Sequence, residues 1–222
     1  MLQSVAELGM LGILLETRGM PNRDRAFLQA GKGQLHEPQL SDHVAVIEQL
    51  CARFNFLDGS KVGIFGQSGG GHAAARAMFD YPKVFRAGVA ASGSHDARNY
   101  IALWLDKYGG RPGAPERDQQ SNLEVAHRLE GKLLLMHGDM DDNVHPGHTL
   151  ALSAALIAAG KDFEQLIVPG ATHSLLFEHP YALQRLWNFF VRHLLDTAPP
   201  DDFVLSWTPA DFAAGMRLME LA

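Results

Sequence analysis

The chain has 222 residues, 46% of them hydrophobic and 20% charged, with a formal net charge of −6. This length and balance suit one domain with a core of its own and exclude a disordered chain. The acidic balance, with no cluster of Lys and Arg, excludes a nucleic-acid partner, whose phosphates call for such clusters.

The opening MLQSVAELGMLGILLE has no basic leader, and Glu7 and Glu16 interrupt or flank its apolar run. Residues 9–16 therefore read as a buried strand centred on 10–15 rather than as a signal peptide. No apolar run reaches the roughly 18 residues of a membrane helix, so no membrane partner is expected. Residues 18–39, rich in Gly, Pro, Asn and charge, read as a loop. A helical pattern follows over 42–54. Cys51 lies in it beside Val46, Ile47, Leu50 and Phe54 and reads as a small buried hydrophobe. A single cysteine excludes an intrachain disulfide and fits a reducing compartment, which favours the cytoplasm.

From here the chain alternates short apolar runs with amphipathic ones. Strands are expected at 62–65, 87–91, 133–136 and 164–168, and helices at 70–79, 147–159 and 180–195. Residues 109–121 form a polar loop before a short helix at 122–129. Residues 197–202 read as a linker, 203–207 as a further strand, and 210–221 as a tail helix capped by Thr208 and Pro209. The β-α rhythm implies an α/β fold, a parallel sheet of about five strands flanked by helices. Right-handed crossovers place the C-terminal strand ends on one edge, where sites gather. Residues 1–196 form the main domain and 197–222 a linker and tail.

The strongest local signal is Gly66-Gln67-Ser68-Gly69-Gly70, between the strand KVGIF and the helix HAAARAMF. Such a strand-turn-helix presents a serine on a strained turn, with small residues two before and two after it. The Ser68 hydroxyl then stands at a helix N-terminus, and the Gly69 N–H is placed to bind an oxyanion. A serine needs a base to become a nucleophile. Strand 164–168 runs into a loop carrying His173, and strand 133–136 into one carrying Asp139, Asp141 and Asp142. The order serine, acid, histidine is that of a catalytic triad on such a sheet, and spacing does not choose among the three aspartates. A metal site built from His145, His148, Asp139 and Asp141 is not expected, since these lie at a loop-to-helix start with no matching second cluster. A calcium loop starting at Asp139 and Asp141 fails because Leu150 stands where its glutamate belongs. No metal or other cofactor is called for. His72, His95, His137 and His179 read as structural or rim residues.

At ETRGMPNRDRAF, FNFLDGSKVGIFGQSGGGHAAARAM, YPKVFRAGVAASG, KLLLMHGDMDDNVHP and LALSAALIAAGKDFEQLIVPGATHSL the chain resembles the catalytic domain of the prolyl oligopeptidase family of serine peptidases. The resemblance is to its dipeptidyl peptidase IV-like and acylaminoacyl-peptidase-like branches and covers roughly residues 5–195. It implies an α/β-hydrolase sheet and a substrate that is a short peptide, with a small ester as the alternative. It implies that Asp141 is the triad acid, that Asn143 holds the substrate backbone, and that Ser94, Tyr100 and Trp104 contribute to the substrate pocket. The residue after the serine is often tyrosine in that family, where this chain has Gly69. The family also places a β-propeller and the first hydrolase strands upstream of the segment matched here, and the loop that brings a second oxyanion donor lies among those strands. Losing one such donor costs about 10²–10³ in rate. The chain is therefore expected to be a fragment or truncated homologue, weakly active or inactive alone. Its open sheet edge is expected to associate with a second copy or with the missing propeller-bearing part. Strand 10–15 would have no neighbour at its usual place unless it pairs directly with 62–65, or unless 203–207 fills the gap. A hydrolase-derived module without catalysis is the remaining alternative.

Overall fold

The computed structural model describes residues 2–21, 23–111 and 119–206. Helix α1 (Leu2–Glu7), α2 (Arg25–Gln29) and α3 (Gln39–Arg53) precede the sheet. Then follow β1 (Val62–Gln67), α4 (Gly69–Asp80), β2 (Phe85–Ala91), α5 (Ala102–Tyr108), α6 (Asn122–Val125), β3 (Lys132–Gly138), α7 (Gly147–Ala158), β4 (Glu164–Val168), α8 (Leu175–Glu178) and α9 (Pro180–Leu194). The strands form one parallel sheet in the order β1-β2-β3-β4.

Both faces of the sheet are covered, as parallel strands require. Successive side chains alternate: Ala87, Val89, Leu134 and Met136 pack on one side with Leu186, Phe189 and Phe190 of α9. Phe85, Ala90, Leu133 and Leu135 pack on the other with Met78 and Phe79 of α4 and Leu152 and Leu156 of α7. Helix α9 shows why the sequence reads as it does. Its buried residues Ala182, Leu183, Leu186, Phe189, Phe190 and Leu194 recur at helical spacing, and Pro180 occupies the first turn. Truncating a fully buried leucine such as Leu134 to alanine costs about 2–5 kcal/mol.

The sheet has four strands among the described residues, not five. Residues 10–16 carry no strand. Met10 still packs against the core, but Leu11, Ile13 and Leu14 are exposed, Leu14 by 83%. An apolar run becomes a strand only beside a partner that takes its N–H and C=O groups, and among the described residues β1 pairs with β2 alone. Residues 203–206 are likewise irregular. They lean on α9 through Gln184, whose amide donates to the Phe203 carbonyl at 2.5 Å and accepts from the Leu205 N–H at 2.8 Å. The expected tail helix at 210–221 lies outside the described residues. Cys51 is half-buried rather than buried, because α3 lies at the margin of the core and buries only Leu40 completely.

The register aligns the rim. Gln67 pairs with Ala91, Ala91 with Met136, and Gly138 with Val168. The segments that leave these strands therefore emerge along one edge.

Candidate active site

Ser68 is the turn residue between β1 and α4, with φ 60° and ψ −123°. A non-glycine residue there is strained and must be held by its surroundings. The Ser68 N–H donates to the Ala91 carbonyl at 2.9 Å, and its own carbonyl accepts from the His72 N–H at 3.0 Å. A β-carbon on Gly66 would collide with the carbonyl of Gly70, and one on Gly71 with the carbonyl of Ala91. A β-carbon on Gly70 would meet open space. The turn thus depends on glycine two before the serine and three after it, not two after. Gly69 opens α4, so its N–H points out of the first turn with no helical carbonyl to bond.

Two loops meet above this serine. The loop after β3 is stitched to the loop after β4: the Met140 N–H donates to the Ala171 carbonyl at 3.1 Å, and the Gly170 N–H to Asp139 Oδ1 at 2.6 Å. Gln67 Oε1 accepts the Leu176 N–H at 2.9 Å and ties the second loop to the serine turn. The result is a continuous relay. His173 Nε2 is 2.9 Å from Ser68 Oγ, and His173 Nδ1 is 2.8 Å from Asp141 Oδ2.

Three aspartates that spacing left equivalent are separated by this geometry. Asp141 faces His173, Asp139 braces Gly170, and Asp142 is exposed. The Asp141 side chain is fully buried. Burial raises its carboxyl, but hydrogen bonds from His173 and from the Val144 and Asn143 N–H groups outweigh it and hold the group below the usual carboxylate range. An ionised carboxylate accepting from Nδ1–H leaves His173 Nε2 free to accept from the serine hydroxyl.

The residues expected to line a substrate pocket fall into two groups. Tyr100 donates its hydroxyl to Asn143 Oδ1 at 2.8 Å, and its ring meets Trp104 edge-on at 5.4 Å. Burial, then the Asp141 charge, raises the Tyr100 phenol, so it stays a donor. Trp104 stands 3.5 Å from where a β-carbon on Gly69 would lie. Ser94 does not join them. It is 3% exposed and presents almost no surface to a substrate, because the chain dives under the rim after β2, where the Ser94 carbonyl bonds His72 Nδ1 at 3.0 Å.

His72, His95 and His137 are buried, and His179 is half-buried. Burial lowers His72 to about 4 and His95 well below the ordinary histidine value. Gln67 and Gly71 escaped the sequence reading. Gln67 occupies the variable position of the serine motif, and its role appears only when α8 is brought beside it.

The family match now bears on this geometry. A family model described as the prolyl oligopeptidase family matches residues 1–197. The chain belongs to the prolyl oligopeptidase family. Human dipeptidyl peptidase 8 is 30% identical over 187 residues, covering 78% of this chain and 20% of that protein. Venom dipeptidyl peptidase 4 of Apis mellifera is 30% identical over 183 residues, covering 78% and 24%. The crystal structure of Porphyromonas gingivalis dipeptidyl peptidase 4 superposes with a TM-score of 0.75 at 26% identity, covering 81% of this chain and 26% of that one. The chain thus spans about a fifth to a quarter of the length of these relatives. Within the prolyl oligopeptidase fold it represents part of an α/β-hydrolase sheet, with the serine, aspartate and histidine each on a loop leaving its own strand.

Proposed function

We propose that this chain carries the acyl-transfer centre of a serine peptidase acting on short peptides. Ser68 attacks the scissile carbonyl carbon while its proton passes to His173 Nε2. The tetrahedral oxyanion is met by the Gly69 N–H at the α4 N-terminus. His173 returns the proton to the leaving amine, the amine departs, and the acyl-enzyme forms on Ser68 Oγ. Water, deprotonated by the same imidazole, then releases the acid and restores the serine. Asp141 keeps the proton on Nδ1 and stabilises the imidazolium. Asn143, bonded by the Tyr100 hydroxyl, would bond the substrate backbone, and Trp104 beside Gly69, with Tyr100 against it, would form an apolar wall.

The observation that carries this reading is the unbroken relay from Ser68 Oγ through His173 to Asp141 at 2.9 and 2.8 Å. The dipeptidyl peptidase names of the relatives favour a peptide over an ester. The test is covalent labelling by a fluorophosphonate, followed by turnover of dipeptide amides and of short acyl esters. Labelling that disappears in Ser68→Ala supports the centre, and amide turnover supports the peptidase. Ester turnover alone would indicate a carboxylesterase. A folded chain that takes no label would indicate a module without catalysis.

A further inference from the structure

His137, near the end of β3, is fully buried and lies four residues before Asp141. Its Nε2 is 2.8 Å from the Val144 carbonyl and 3.1 Å from Asp141 Oδ2, and its Nδ1 is 2.7 Å from Thr149 Oγ1. A carbonyl oxygen only accepts, so Nε2 carries the proton, and Nδ1 accepts from the Thr149 hydroxyl. Asp141 Oδ2 is the same oxygen that bonds His173 Nδ1, while Oδ1 takes the N–H groups of Asn143 at 3.0 Å and Val144 at 2.9 Å. Two imidazoles therefore converge on one carboxylate oxygen, one from β3 and one from the loop after β4.

We propose that His137 is a positioning residue of the hydrolytic centre, whose Nε2–H holds Oδ2 of Asp141 in line with His173. The proposal rests on the reading of Ser68, His173 and Asp141 given above. The torsion that turns a carboxylate about its Cβ–Cγ bond is broad. The two backbone donors fix one oxygen, and the single His137 Nε2–H, shared with the nearer Val144 carbonyl, steadies the other. Thr149, in the first turn of α7, sets the ring orientation, so α7 contributes to the centre without touching substrate. The ring acts as a neutral donor. Burial lowers it below the ordinary histidine value, against the Val144 carbonyl and Asp141, which pull it up. The other titratable groups that bear on it are His173, His95 and His148. A neutral His137 leaves the full charge of Asp141 to the imidazolium that forms at His173.

The test joins imidazole NMR of the full chain with the rate of Ser68 labelling by a fluorophosphonate between about pH 5 and pH 9. In the wild type, His137 should show a proton on Nε2 and none on Nδ1. His137→Leu should move the His173 Nδ1–H resonance, slow labelling by about tenfold and displace the acidic limb of the labelling profile. His137→Gln, which sets an amide N–H near the same place, should recover most of the rate. A wild-type His137 protonated on Nδ1 overturns the proposal. So does a folded His137→Leu with unchanged resonance and rate, or a His137→Gln no better than the leucine variant. If His137→Leu does not fold, the wild-type signals and His137→Gln decide. Unchanged labelling in His137→Leu sinks the positioning role and leaves the hydrolase reading standing. A shifted His173 resonance in a chain that takes no label upholds the contact and sinks the hydrolase reading.

Discussion

Gln67 and Leu176 are 109 positions apart, yet Gln67 Oε1 accepts the Leu176 backbone N–H at 2.9 Å. This bond ties the segment carrying His173 to the turn carrying Ser68, so the distance between the imidazole and the hydroxyl is braced by a third residue. Gln67→Ala should reduce Ser68 labelling several-fold and cost about 1 kcal/mol of stability, the net value of one such bond. Gln67→Glu keeps an acceptor at that place and should stay closer to wild type. Labelling kinetics beside chemical denaturation would separate the two effects.

The acid can be assigned by three parallel substitutions. Asp141→Asn removes the charge and forces the wrong imidazole tautomer, and should lower turnover by about 10³–10⁴. Asp142→Asn, at an exposed position, should leave turnover near wild type. Asp139→Ala removes an exposed bond to the Gly170 N–H, which water can replace, and should act only on stability, by about 1 kcal/mol or less. Turnover and unfolding midpoints of the three variants read these outcomes.

Glycines 70 and 71 are adjacent but stand in unlike surroundings. Gly71→Ala drives a methyl into the Ala91 carbonyl, which also receives the Ser68 N–H. It should destabilise by about 1–3 kcal/mol, as overpacking does. Gly70→Ala meets open space and should be neutral or stabilising by up to about 1 kcal/mol. Thermal unfolding of the pair checks the contrast.

Burial lowers His36 to about 3 and His72 to about 4 from an ordinary value of 6.5. Both are neutral in the fold, whereas the unfolded chain binds their protons as pH falls through 6.5. The unfolded state then holds more protons, so stability should fall from about pH 6.5 toward pH 4. The slope is at most about 1.4 kcal/mol per pH unit for each histidine. His36→Leu should flatten this dependence in urea denaturation at a series of pH values. A wild-type curve flat across that window would contradict the burial of these rings as neutral groups.

The elements legible in the sequence are those whose signal is local. Residues 164–168 read as a strand and form β4, and the patterns at 147–159 and 180–195 form α7 and α9 within a residue. Residues 10–15 are as apolar as these strands but form none, because a strand also needs a partner and no pattern within the segment supplies one. The same limit applied to Ser94, which follows a strand end as Ser68 does but runs inward.

Local pattern was enough for the β-α rhythm, the strained serine turn, and the strand-to-loop segments that carry the acid and the histidine, since each depends on residues within a few positions of one another, and their order is read directly along the chain. Which aspartate meets His173, how Gln67 braces the second loop, and that His137 bonds Asp141 were decided by tertiary structure. These contacts exist only once the parallel register sets the strand ends on one rim, and hydrogen bonds that act within about 3 Å distinguish side chains that sequence spacing leaves equivalent.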